Sequence, residues 1–242
     1  MKKELNLTKT QSVLDLLKQK PAQIAGVIAA LLASDKKDLI LSSGRIVQGV
    51  LSGQKLSQLG REIEEFRRKG MIDNNCFSNE KNRDTFYDLL KFIDEGALGE
   101  ELFRAAKSIF FSTITADTKT KDEVLAYQMF QICKKLTGED ILILKASFDI
   151  VKNNGGKVSV GSQSPIPRGS SLEWAREVSK KIGHGILEIV RNREEHLENL
   201  NLIAQREQIP SHTRPQDAFL QTPYFRLTPL GYKFCEFITK YN

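Results

Sequence analysis

The side chains best suited to recognition chemistry are Arg191, Asn192 and Asn199, which fall within one helical stretch running from Ile186 to Leu200. Guanidinium and carboxamide groups make paired hydrogen bonds to base edges, which is why these residue types draw attention. Downstream, Arg206, His212 and Arg214 sit in a proline-punctuated stretch, where they could meet a phosphate backbone, a minor groove or a protein surface. With Ile186, Val190, Arg193, Leu197 and Leu200 on or beside the inward face, Glu188, Arg191, Asn192, Glu195 and Asn199 point outward. Glu188, Glu194, Glu195 and Glu198 share that helix. Carboxylates repel phosphates, and duplex affinity comes mostly from cations. The helix face therefore reads first as a solvated surface of mixed charge, and the six polar residues are candidate contacts to nucleic acid or to a protein partner.

Catalytic and metal chemistry find no such grouping. Gly155-Gly156-Lys157 lacks the upstream glycine and following hydroxyl of a phosphate loop and reads as a turn. Val160-Gly161-Ser162-Gln163-Ser164 lacks the second glycine of a nucleophile elbow. Neighbouring carboxylates such as Glu64/Glu65 and Glu194/Glu195 splay to different sides of a helix instead of converging on one substrate. Cys76, Cys133 and Cys235 are far apart and odd in number, and only His184, His196 and His212 offer imidazoles. No disulfide, metal site or cofactor is expected, and a reducing cytoplasm is the simplest home. Cys133 and Cys235 lie on apolar helix faces and read as core.

The net charge of +6 and pI of about 9.1 invite a nucleic-acid partner. Its distribution argues otherwise. From Glu139 onward, 14 Lys/Arg stand against 12 Asp/Glu, a net +2, with no block of like charge. The longest apolar run, Ile24 to Ala33, is shorter than the roughly 20 residues a bilayer span requires. Its leader contains Glu4 and Asp15, and no small-x-small cleavage site follows cleanly, so a buried helix is expected instead of a span or signal peptide.

The elements that would position these residues are mostly helices. In the front half, Thr8 or Thr10 can cap a helix containing Val13, Leu14, Leu16 and Leu17, and Pro21 suits the first turn of the next. Asp35 can open a third, carrying Leu39, Ile40, Ile46, Val47 and Val50. Leu56, Leu59, Ile63 and Phe66 mark a fourth, with Arg67, Arg68 and Lys69 in its last turn and Gly70 as its stop. Further helices are marked by Phe86, Leu89, Leu90 and Ile93, then by Leu102, Phe103, Ala106, Ile109 and Phe110. The last carries Val124, Tyr127, Met129, Phe130 and Leu136. The front half reads as a helical bundle.

After a boundary at Leu136, Thr137 and Asp140 form a capping-box-like start to a helix with Ile141, Leu144, Phe148 and Ile150. Asn153 to Ser170 reads as a loop holding one short strand, Lys157 to Val160. Ser170 with Glu173 opens a helix along Leu172, Ala175, Val178 and Ile182; Trp174, one position off that stripe, should pack at the core edge or on a neighbouring domain. Gly183 and Gly185 interrupt before the Ile186–Leu200 helix. A strand, a long loop from Gln205 to Pro223, a second strand, and a helix capped by Thr228 with Pro229 at its first position complete the order. Helix, short strand, helix, turn, helix, strand, wing, strand, helix is the order of a winged helix-turn-helix.

The pairing of LENLNLIAQREQ with FRLTPLGYKF resembles the strand, wing and strand-to-helix exit of MarR-like winged helices. The Phe- and Ala-rich helix from Leu102 to Phe111, the stretch Lys135 to Leu144, and the aromatic-Arg-Leu-Thr-Pro-Leu-Gly close resemble bacterial abortive-infection alpha-type domains. That second resemblance implies a cytoplasmic bacterial protein linked to phage exclusion, with no established active site.

The expected fold is mainly α: an N-terminal helical bundle over residues 1–136 and a C-terminal winged helix-turn-helix domain with a small β-wing over residues 137–242. The expected function is a non-enzymatic bacterial interaction or regulatory protein in antiviral defence, bound to a protein partner or to itself, and not to a membrane. A DNA-binding transcriptional regulator is the second reading, and an enzyme with an unrecognised site the third.

Overall fold

The computed structural model describes residues 46–72, 76–95, 98–115, 120–153, 171–183, 187–205 and 225–241. The expected helices before residue 46, the short strand at Lys157 to Val160, the Ser170 cap, and the loop positions Arg206, His212 and Arg214 lie outside the described residues. The described part is mainly helical. It comprises α1 (Ile46–Arg68), a 3-10 turn (Cys76–Ser78), α2 (Glu80–Glu95), α3 (Glu100–Ile114), α4 (Thr120–Cys133), α5 (Gly138–Asn153), α6 (Ser171–Ile182), α7 (Leu187–Asn199) and α8 (Pro229–Thr239). Two compact units divide the chain, the first ending at Lys134 and joined by Tyr241, the second running from Lys135 to Lys240. No helix among the described residues is long and apolar enough to cross a membrane.

In the first unit, α1 is one continuous helix across Ile46–Arg68, where the sequence suggests a break between Val50 and Leu56. Isolated glycines such as Gly53 weaken a helix by about 1 kcal/mol each without ending it. The end comes at Gly70, whose φ of +69° needs no Cβ. Gly70 N–H donates to Arg67 O at 2.9 Å and Met71 N–H to Phe66 O at 2.9 Å, the paired bonds that close a helix on a left-handed residue.

The central element is α3, buried continuously from Ala105 to Ile114. A helix buried on all sides must satisfy its polar side chains internally. Ser112 donates to Ser108 O and Thr113 to Phe110 O within their own helix, while Lys107 reaches Glu62 at 2.7 Å. Phe110 and Phe111 join Phe66, Phe77 and Phe86 in an aromatic core with ring centroids 4.5–6.5 Å apart. On α4 the inward residues are Ala126, Met129, Phe130 and Cys133. Val124 and Tyr127, expected to mark that face, are instead exposed, because the stripe through Met129 and Cys133 runs one position away from them.

In the second unit, α5 starts from the expected capping box. Thr137 N–H donates to Asp140 Oδ2 at 2.8 Å, and Asp140 N–H donates back to Thr137 Oγ1 at 3.3 Å. Gly183, at φ +83°, ends α6, and Asn201, at φ +56°, ends α7 with bonds from Asn201 to Glu198 O and from Leu202 to Leu197 O. Beyond it, Ile203 and Leu227 form one antiparallel bridge, flanked by Ala204 N–H to Arg226 O and Thr228 N–H to Leu202 O. The strands expected on either side of the wing shrink to this bridge among the described residues. Asn201 before it and Phe225 and Arg226 across from it have φ of +56°, +48° and +68°, outside the β region, so the ladder goes no further among the described residues.

Thr228 then caps α8, its hydroxyl accepting from Gly231 N–H at 2.9 Å. A Cβ on Gly231 would stand 1.9 Å from Leu202 O, so glycine alone lets this first turn lie against the bridge. Helix α8 packs on α5 through Cys235, Phe148 and Tyr232.

Candidate functional site

The face of α7 opposite Val190 and Leu197 carries Glu188, Ile189, Arg191, Asn192, Glu195 and Asn199, all exposed. Arg191, Asn192 and Asn199 thus share one helix surface, whereas Arg206, His212 and Arg214 lie outside the described residues and their distance from it is open. Ile189, at 39% exposure, is an apolar side chain facing solvent at the edge of this face, beside Asn192 and Arg193.

Two cations adjoining this helix are turned away from its outer face. Arg193 grips Asp140 of α5 with two bonds, Nε to Oδ1 at 2.8 Å and a terminal nitrogen to Oδ2 at 2.6 Å. The Asp140 hydrogen bonds hold the Arg193 guanidinium above its ordinary range. His196 adds a bond between Nε2 and Lys135 O at 2.9 Å.

The second is Arg226, which has no exposed surface. One terminal nitrogen donates to Glu194 Oε1 at 2.6 Å and the other to Glu198 Oε1, while Nε donates to Ala204 O at 3.2 Å. Its guanidinium lies 4.6 Å from the Trp174 ring centroid, a cation–π arrangement in a dry setting. Trp174 is therefore interior to this unit, at 1% exposure, and not at the core edge as its offset from the α6 stripe suggests. Its ring lies against the Arg226 guanidinium, a contact distant in the chain that the α6 stripe does not reveal.

This cluster corrects the charge assigned to α7. Of its four glutamates, Glu194 is fully buried and Glu198 mostly so, both bound to Arg226, leaving only Glu188 and Glu195 on the outer face. Sequence reasoning missed the cluster, although one signal was present. Glu194 falls between Val190 and Leu197 on the inward stripe, four and three residues away, and a carboxylate there requires a buried cation.

Among the described residues no group of His, Cys, Asp and Glu could hold a metal ion. Cys133 is pushed up to about 12 by burial, and burial raises Cys235 further still, so neither thiol is poised as a nucleophile. Compared with known proteins, the chain matches no protein-family model, no curated protein and no solved structure.

Proposed function

We propose that this chain is a non-enzymatic bacterial interaction protein acting in phage defence, whose second unit is a winged-helix module presenting the outer face of α7 to a protein partner. The observation that carries this reading is the disposition of charge on α7. Arg193 and Arg226 are committed inward to Asp140, Glu194 and Glu198, and the outer face keeps Glu188 and Glu195 with Arg191, while Ile189 is exposed at its edge. A face of mixed charge with an apolar side chain at its edge suits a protein surface better than a polyanion.

Duplex DNA is the second reading, and one observation favours it. With Glu194 and Glu198 withdrawn, Arg191, Asn192 and Asn199 are exposed beside two carboxylates instead of four.

A titration of the full chain with arbitrary duplex DNA across a salt series separates the two. A protein-binding module gives weak binding that Arg191→Ala with Arg214→Ala changes little. A DNA reader gives tight binding with a log–log salt slope of about −0.9 per phosphate neutralised, and those two changes abolish it. On the first reading, Ile189→Asp abolishes association with the partner, or with a second copy, while leaving the unfolding midpoint in place.

A further inference from the structure

The first unit contains a cleft of about 330 Å³ where the start of α2, the end of α3 and the outer side of α4 meet. That volume is at the lower end of the range for small-ligand sites, about 300–1,000 Å³. Its floor is polar and buried, formed by Asn82, Thr85 and Thr113. One wall is Val124 and Tyr127, which are 45% and 42% exposed. Lys81 and Asp84 stand at the mouth, both exposed, one turn apart on α2.

The hydrogen bonds of the floor fix what it has left to offer. A threonine hydroxyl has one proton to donate and lone pairs to accept with. Thr85 spends its proton on Lys81 O at 2.8 Å and Thr113 on Phe110 O at 2.7 Å, so each oxygen remains as an acceptor. Asn82 commits one amide N–H to Cys76 O at 2.8 Å, leaving its carbonyl oxygen and a second N–H. The floor is therefore rich in acceptors and poor in donors. The Tyr127 ring and the Asp84 carboxylate are among its other lining groups.

Acceptors below, an aromatic wall and a carboxylate at the rim are complementary to a donor-only, positively charged group. We propose that this cleft binds a small organic cation, a primary ammonium or guanidinium. Its N–H groups bond the Asn82, Thr85 and Thr113 oxygens, its alkyl part lies along Val124, and its charge faces Tyr127 and Asp84. Lys81 opposes the ligand and limits its affinity. This site is independent of the α7 surface and of the partner proposed for it.

The test titrates the full chain with butylguanidinium and butylammonium chloride at low ionic strength, followed by amide NMR shifts, with butanol and butyrate as neutral and anionic counterparts. The cations produce saturable shifts around Thr85, Thr113 and Tyr127, and the counterparts do not. Asp84→Asn and Tyr127→Ala each weaken binding about two- to fivefold, the scale of one exposed ion-pair or cation–π contact, and Lys81→Gln strengthens it. Asp84, Tyr127 and Lys81 are exposed, so these variants keep the fold, which the NMR spectrum itself reports. Absence of saturation, equal binding of butanol, or cation binding indifferent to Asp84→Asn overturns the proposal.

Discussion

Arg226 and Glu194 meet at 2.6 Å with neither side chain exposed to solvent, joining the bridge before α8 to the middle of α7. The pair holds an unusual backbone in place. Phe225 and Arg226 are consecutive residues at φ +48° and +68°, a region costing about 1–3 kcal/mol for each side chain that occupies it. The buried ion pair, the Trp174 ring and the bond to Ala204 O over-determine that conformation.

Breaking this pair from one side strands a charge. Arg226→Ala is expected to lower unfolding stability by about 3–5 kcal/mol, because Glu194 is left without its cation in a dry interior. Adding Glu194→Leu should recover a large part of that loss. Arg226→Gly should be about 1 kcal/mol less damaging than Arg226→Ala, since both lose the ion pair and only alanine keeps the backbone penalty. Urea unfolding of the four proteins measures all three differences, and equal stability of the Gly and Ala variants would remove the strain argument.

Gly231→Ala sets helix propensity against packing. Propensity alone predicts a gain of about 1 kcal/mol inside a helix. The Cβ would stand 1.9 Å from Leu202 O, a backbone atom that also accepts from Thr228 N–H. The expected result is a loss of about 2–4 kcal/mol, read as a lowered midpoint in thermal or urea unfolding. An unchanged or raised midpoint would show that α8 can move off the bridge without cost.

The thiols carry a pH prediction with a definite sign. Burial raises Cys133 to about 12 and raises Cys235 beyond it, so at pH 8 both are neutral thiols and not nucleophilic thiolates. Iodoacetamide at pH 8 should leave both unmodified in the folded protein, and both should react once urea exposes them. Mass spectrometry of the digested protein reads each site separately. Modification of either cysteine in the folded protein would place it at the surface.

Periodicity and end signals are local properties, and the sequence carries them openly. The Thr137–Asp140 box, the Thr228–Pro229 start of α8, the Gly70 stop and the core placement of Cys133 and Cys235 were all legible, because each follows from residues within one or two turns. The outward position of Arg191, Asn192 and Asn199 was legible for the same reason. What only the tertiary structure decided concerns groups far apart in the chain. The destination of Glu194 depended on Arg226, 32 residues away, and the Trp174 ring packs against that same guanidinium. The requirement for glycine at 231 depended on Leu202. A hydrophobic stripe tells a side chain to turn inward, but whether an inward charge is tolerated rests on a partner that only three-dimensional packing supplies.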